Sequence, residues 1–327
     1  MNWLLTTDLH LSDRPRDIYR FGLFDWIKKQ QSKHKVDATF FLGDTTESKD
    51  RHSSTLVNRI VEELLKLTPP VFILRGNHDG TSPDNPYFKF LSSIPGLTFI
   101  ANPTFMHKYE IAMLPHCRTQ DELKTACKHM PANPKAVFLH QTFTGAIAET
   151  GVALAGLDYA PVQALKPWLG GYSGDVHVPQ RQGGLIYVGA PYHVRFGDQF
   201  EPRCLLIKGG GKHDLRFDCP RKYSLTIHDA DDITNNAKLK KGDQIKVTVE
   251  LTREELVEWQ DNRRRILAAC REGGLEVFGI DCAVTGKQRE QSHLNGRGKT
   301  LPSEIFDAFC LNEGVASNIK RAGRELL

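Results

Sequence analysis

Short apolar runs punctuate the first two thirds of the chain, at residues 3–5, 39–42, 71–74, 136–139 and 185–188. Each is rich in Leu, β-branched or aromatic residues and has the length of a strand. Between them the apolar positions change period. Leu56, Ile60, Val61, Leu64 and Leu65 recur at helical spacing, as do Leu123, Ala126, Cys127 and Met130, the second set after a capping-box pattern at Thr119 and Glu122. Runs without polar alternation, alternating with helices, predict a largely parallel sheet buried on both faces.

The pattern shifts after Asp218-Cys219-Pro220. Just before it, residues 204–207 and 215–217 flank Gly209-Gly210-Gly211, which reads either as the turn of a closing hairpin or as a flexible linker. Beyond it, residues 244–251 alternate as a strand. Thr252 and Glu255 form a capping box that opens an amphipathic helix to about Arg271, Gly273-Gly274 stops it, and residues 276–284 return as a strand. From Thr285 to Leu301 the chain turns polar and basic. Two helical stretches follow, the first carrying Ile305, Phe306 and Phe309, and they either pack on their own domain or dock on a partner. The division expected is 1–218, 219–284 and a basic linker with helical tail at 285–327.

What ends each strand is chemically distinctive. Asp8 and His10 follow the first run, Gly43-Asp44 the second, Gly76-Asn77-His78-Asp79 the third and His140 the fourth; Gly174-Asp175-Val176-His177 comes later. In α/β sheets the crevice beyond the carboxyl ends of strands is where sites are built. Asp8 and His10, two apart on an extended segment, point to one side and can share a metal. A pair of cations needs a carboxylate between them, and Asp44 is the natural bridge. Each motif alone is common by chance, but their order after successive apolar runs is not.

Composition narrows the class without naming a substrate. The 327 residues carry a formal charge of +4, spread thinly over both parts of the chain. Seven cysteines include no Cys-x-x-Cys pair, which fits neither a disulfide framework nor a zinc ribbon. No apolar run approaches the ~18 residues needed to span a bilayer, and the amino terminus lacks the features of a signal peptide. A cytoplasmic protein with reduced thiols and no membrane contact is expected. Gly296-Arg297-Gly298-Lys299-Thr300 ends like a Walker A loop, but His293 stands where its first glycine belongs and no apolar strand precedes it, so this chain is not expected to bind ATP.

In these motifs the chain resembles the calcineurin-like metallophosphoesterase superfamily, whose signature runs D-x-H, G-D, G-N-H-D/E, H and G-H-x-H. Within it the chain looks most like the SbcD branch, nuclease subunits of double-strand-break processing complexes, and in its brevity like phage-encoded members. The details are Asp8-Leu9-His10 close to the start, the segment from Gly174 to Gln180, and Tyr187-Val188-Gly189-Ala190-Pro191 followed by Arg195-Phe196. The resemblance implies a calcineurin-like α/β fold, a β-sandwich flanked by helices, with a small β-α-β capping domain. It implies one metal held by Asp8, His10, Asp44 and His177, a second held by Asp44, Asn77, His140 and Asp175, and His78 as the catalytic histidine. Glu47, three residues beyond Asp44, is expected to orient His78, with His52 a second candidate in the same loop.

Asp175 stands where the family pattern has His. A third carboxylate hardens the ligand set and favours Mn²⁺, or Mg²⁺, over softer ions. The resemblance further implies DNA as substrate, a separate SbcC-type, SMC-like ATPase as partner, and an exonuclease or endonuclease role in DNA recombination and repair; a homodimer is compatible with it. Arg14, Arg16 and Arg20 follow the first metal loop closely enough to meet a phosphate backbone, and Arg263–Arg265 form a second basic cluster. The alternatives are phosphoesterase activity on small nucleotides or phosphoproteins, and a degenerate scaffold that binds DNA or the ATPase without turnover.

Overall fold

A computed structural model describes residues 1–82 and 84–284. Met1–Ala283 make one compact unit. The expected linker and helical tail, residues 285–327, lie outside the described residues.

Two six-stranded sheets form the body. In the first, β1 (Asn2–Thr6), β2 (Ala38–Phe41), β3 (Val71–Leu74) and β4 (Leu97–Ile100) run parallel, and β1 continues antiparallel into the hairpin of β11 (Cys204–Lys208) and β12 (Gly211–Leu215). The second has the order β5 (Thr104–Met106), β6 (Ile111–Leu114), β7 (Ala136–His140), β8 (Gly171–Gly174), β10 (Leu185–Tyr187) and β9 (Gln180–Gln182); its four inner strands are parallel and both edges antiparallel. The periodicity alone suggests one parallel sheet. The structure has two, as the resemblance implies, because segments such as Gly171–Gly174 (GYSG) pair as strands without an apolar run to announce them.

Alternation along each strand divides its side chains between two cores. Trp3 and Leu5 of β1, Phe40 of β2 and Phe72 of β3 meet Ile111, Phe138 and Tyr172 between the sheets. Leu4, Phe41 and Ile73 point the other way, onto α1 (Gly22–His34) and α2 (Ser54–Leu65). On the far face of the second sheet, Leu114, Val137 and Leu139 pack with Leu123 and Cys127 of α3 (Gln120–Lys128), near the single turn α4 (Ala160–Gln163). Strands covered on both faces read as unbroken apolar runs, which is what made them legible.

The triglycine segment resolves as the hairpin: Gly209 and Gly210 take positive φ (58° and 83°), the geometry a two-residue turn demands. A third sheet, β13 (Lys222–Ile227), β14 (Gln244–Leu251) and β15 (Glu276–Val284), carries the short α5 (Asp231–Thr234) and packs its apolar face on Ile266 and Cys270 of α6 (Trp259–Glu272). The Thr252–Glu255 capping box forms reciprocally, Thr252 N donating to Glu255 (2.7 Å) and Glu255 N to Thr252 Oγ1 (3.3 Å). It opens a 3-10 turn that runs into α6.

Buried charge fastens β13 to the first sheet's loops. Lys222 is only 2% exposed and donates to Asp17 Oδ1 at 2.7 Å. Asp17 also takes Arg20 (3.0 Å) and the Ser12 hydroxyl (2.9 Å). Arg20 in turn donates to the carbonyls of His10 (2.5 Å) and Val194 (3.0 Å). A buried ion cluster is costly to break by removing one partner, and this one ends on the backbone of a candidate metal ligand. Six cysteines among the described residues are free thiols. No helix of the described residues is long and apolar enough to cross a membrane.

Candidate metal centre

The carboxyl ends of five strands, three from the first sheet's parallel run and two from the second sheet, deliver the polar residues. Asp8 and His10 leave β1, Asp44 follows β2, Asn77 and His78 follow β3, His140 ends β7, and Asp175 and His177 leave β8. Asp8, His10, Asp44 and Asp175 all have positive φ, half of the eight non-glycine residues that do so among the described residues. Backbone strain of this kind costs ~1–3 kcal/mol per residue and concentrates where function fixes geometry. Gly43 and Gly76 let the loops close: a Cβ on Gly43 would strike the His140 ring, and one on Gly76 the Asp44 carboxylate.

Asp44 sits between two groups of ligands. Its Oδ2 lies 3.7 Å from His10 Nε2, and its Oδ1 lies 3.2 Å from His140 Nε2. On the first side, Asp8, His10 and His177 bring ligand atoms within 4.8 Å of one another, His10 Nε2 standing 3.2 Å from His177 Nε2. On the second, His140 Nε2 has Asn77 Oδ1 at 3.0 Å and Asp175 Oδ1 at 3.7 Å. His140 Nδ1 donates to the Leu42 carbonyl at 2.6 Å, which fixes the tautomer and turns the Nε2 lone pair inward.

Several atoms here lack the partners a protein interior demands. Asp8 is fully buried, and its Oδ2 accepts no hydrogen bond. The Asn77 oxygen faces His140 Nε2 and the Asp44 carboxylate, where only the opposite amide orientation would hydrogen-bond. An oxygen turned towards acceptors, beside an orphaned carboxylate oxygen, is the donor arrangement a shared cation satisfies. The residues present therefore fit a pair of divalent ions.

The electrostatics agree. Burial pushes the Asp8 carboxyl up to about 7, with His140 and His10 opposing and Asp44 and Asp175 adding to the rise. Burial works in the same direction on Asp44, but His140, His10 and His78 outweigh it and hold that carboxyl well below the usual range. His177, buried beside His10, is pushed down to about 3 and stays neutral. Burial opposes charge on His10 too, yet Glu47, Asp44 and Asp8 raise it. Without a cation, protons must take up the charge that these groups share.

Around this centre the structure reassigns two expectations. Glu47 reaches His78 through its backbone carbonyl, which accepts from His78 Nδ1 at 2.8 Å, while its carboxylate lies 3.1 Å from His10 Nδ1. The longer Glu side chain carries the carboxylate past His78 to the ligand itself, and its bond to His10 holds it down at about 2. His52 makes its contacts elsewhere: its Nε2 pairs with the Thr46 hydroxyl at 2.8 Å, and its ring packs on Tyr87 and Phe88. His78 is half-buried, its backbone N–H donating to Asp44 Oδ1 at 2.9 Å.

Supporting residues fix the loops. Asp79 accepts from the backbone N–H groups of Asp44 (3.0 Å), Thr45 (2.9 Å) and Gly76 (2.7 Å), tying the second and third motifs together. Others carry no signal in sequence spacing. The Thr142 hydroxyl donates to Asp175 Oδ2 at 2.6 Å, leaving the other oxygen towards His140, and Tyr192 donates to the Leu9 carbonyl at 2.5 Å. Arg20, expected to meet a phosphate backbone, is turned inward onto Asp17 and the His10 carbonyl. Arg263 to Arg265 lie on the outer side of α6, where Arg264 pairs with Asp261.

The family model of the calcineurin-like phosphoesterases matches residues 1–139. No curated protein is significantly similar to the chain in sequence. Among solved structures it is similar to one titled as the structural and functional characterization of a novel archaeal phosphodiesterase, at 12% identity and a TM-score of 0.38, with 66% of this chain and 100% of that chain covered. Residues 1–139 thus match the calcineurin-like phosphoesterase model, and the mixed α/β architecture, with sheets flanked by helices, is consistent with that fold.

Proposed function

We propose that the chain is a Mn²⁺-dependent phosphodiesterase acting on DNA, a nuclease subunit of the SbcD type that works beside a separate SMC-like ATPase. One observation carries the reading: the two oxygens of Asp44 face two different ligand groups, His10 on one side and His140 on the other. A carboxylate so placed suits two ions, the arrangement that clamps both oxygens of an in-line displacement at phosphorus. Asp8, His10, Asp44 and His177 would hold one, and Asp44, Asn77, His140 and Asp175 the other. The branch and the DNA substrate rest on the motif resemblance, and Mn²⁺ on the three carboxylates of the set.

Two divalent cations, when bound, supply the positive charge that offsets the negative charge growing on the phosphoryl oxygens. The protein's own part is positional. Asp44 and Asp79 lock the loops, Glu47 aligns His10, and the Leu42 carbonyl aligns His140. His78 donates Nδ1–H to the Glu47 carbonyl, which leaves Nε2 to face the departing sugar oxygen; the imidazolium form would pass its Nε2 proton to that oxygen and end as the neutral Nδ1–H ring.

The test is hydrolysis of end-labelled linear duplex and single-stranded DNA with Mn²⁺, Mg²⁺ or chelator, beside simple phosphodiesters and a phosphopeptide. Mn²⁺-dependent DNA cleavage that His78→Ala abolishes, with metal binding retained, supports the reading. Turnover of the small substrates alone points to another branch of the superfamily. No turnover, with one bound metal or none, points to a degenerate scaffold.

A further inference from the structure

We infer that Thr142 is a positioning residue that sets ion selectivity: its hydroxyl occupies one oxygen of Asp175, so that the His140 side of the centre takes a small octahedral cation such as Mn²⁺ and disfavours Ca²⁺. The inference rests on the two-cation reading proposed for the centre.

The fold sets the pair side by side. β7 and β8 run parallel with His140 opposite Gly174, so the chain leaves both strands at the same level. Thr142 lies two residues beyond His140, and Asp175 one beyond Gly174. The backbone at Thr142 is fixed from three directions: Gln141 N–H donates to the Ser173 hydroxyl (2.9 Å), Phe143 N–H to the Tyr187 hydroxyl (2.9 Å), and the Thr142 carbonyl accepts from Leu157 N–H (3.1 Å). β-Branching restricts the side chain's own rotation. Its hydroxyl therefore meets Asp175 Oδ2 as a preset donor, and 2.6 Å is the length of a strong hydroxyl-to-carboxylate bond.

Asp175 is held from its other end as well. Its φ of 74° and its N–H bond to Asp8 Oδ1 (3.2 Å) anchor the backbone, while Oδ1 stands 3.7 Å from His140 Nε2. Around that nitrogen also lie Asn77 Oδ1 at 3.0 Å and Asp44 Oδ1 at 3.2 Å. Asp44 has no freedom to turn both oxygens this way, because Oδ1 takes the His78 N–H and Oδ2 faces His10. Asp175 is the other carboxylate of this group. Thr142 decides whether it offers one oxygen or two.

That choice separates ions by size. Ca²⁺ takes ~6–8 oxygens in a flexible shell and uses carboxylates that chelate, whereas Mg²⁺ demands a near-ideal octahedron and Mn²⁺ shares its octahedral oxygen chemistry. One oxygen from Asp175 brings the group to four protein atoms, which leaves a six-coordinate ion room for solvent and substrate. A histidine at 175 would offer a single atom by its nature. Asp175 does so only while a hydroxyl holds its second oxygen.

The experiment uses the full chain, stripped with chelator and titrated calorimetrically with Mn²⁺ and with Ca²⁺. The step read is the one that Asp175→Ala weakens. In Thr142→Val, which keeps shape and backbone bonds, the ratio of Kd for Ca²⁺ to Kd for Mn²⁺ should fall about tenfold or more; in Thr142→Ser it should stay within about twofold of wild type. In an Asp175→His background, adding Thr142→Val should leave the ratio where it was, since the coupling is lost with the carboxylate. Crystals soaked in Ca²⁺ should show both Asp175 oxygens on the ion in Thr142→Val and one in wild type. A ratio that Thr142→Val leaves unchanged, because both ions weaken equally or neither does, would overturn the inference, as would the same fall in the Asp175→His background. Wild-type protein that binds one Mn²⁺ or none sinks the two-cation reading and this inference together. Two binding steps with the shifted ratio but no DNA cleavage uphold the inference and sink the nuclease reading; cleavage with an unchanged ratio does the reverse.

Discussion

Replacing Glu47 with Gln separates two roles that sequence spacing alone does not distinguish. The spacing from Asp44 suggests a partner for His78, whereas the carboxylate lies 3.1 Å from Nδ1 of His10. A carboxylate behind a metal-bound imidazole orients the ring and raises its basicity, and removing such a partner typically costs 10–100-fold in metal affinity. Glu47 has 38% of its side chain exposed, so water screens part of its charge. That places the expected loss at the lower end, about tenfold in Kd for Mn²⁺, or about 1.4 kcal/mol. Gln retains the side chain's length and can still meet Nδ1, so Glu47→Ala should lose more. Isothermal calorimetry with Mn²⁺ gives the affinities. Saturating Mn²⁺ should restore most of kcat in Glu47→Gln, since the backbone carbonyl that holds His78 is untouched. Unchanged Mn²⁺ affinity with a kcat that no metal concentration restores would refute this placement and return Glu47 to His78.

Three further outcomes follow from the same geometry. Asp175→Ala removes one ligand of the His140 group, so the weaker of two Mn²⁺ steps should lose about tenfold or more in affinity while the other is spared; calorimetric isotherms will show whether both steps move instead. Lys222→Met strips Asp17 of one buried cation but leaves Arg20 and Ser12, so the loss of stability should be about 2–3 kcal/mol, below the ~3–5 of a fully orphaned buried charge, and urea denaturation reads it directly. Asp8, raised to about 7 in the folded protein, binds its proton more tightly folded than unfolded. Its contribution to stability is complete below about pH 4 and is lost as pH rises through about 7, at up to ~1.4 kcal/mol per pH unit. Melting temperatures of metal-free protein between pH 5 and 8 should therefore fall less steeply for Asp8→Asn than for wild type, and equal slopes would contradict the assignment.

The sequence was most readable where burial is two-sided. Val71–Leu74 and Ala136–His140 announce themselves because both faces need apolar residues, and the ligand motifs follow directly because strand ends deliver them. Gly171–Gly174 is hidden because two glycines, a serine and a single tyrosine make no apolar run; pairing with β7 and β10 makes it a strand. Contacts between distant segments were equally invisible. No spacing rule links Thr142 to Asp175 by hydroxyl, Lys222 to Asp17 across 205 positions, or Arg195 and Lys246 to one cleft. Arg20 illustrates the limit best: it reads as a surface cation, yet only the fold shows that Asp17 and the His10 carbonyl claim it.

The central claim is that Asp44 joins two cation sites, and anomalous diffraction from crystals soaked in Mn²⁺ tests it most directly. The account predicts two peaks about 3.5–4 Å apart, one beside Asp8, His10 and His177, the other beside Asn77, His140 and Asp175, with one Asp44 oxygen on each. A single peak, or a pair that leaves Asp44 on one side, would contradict it.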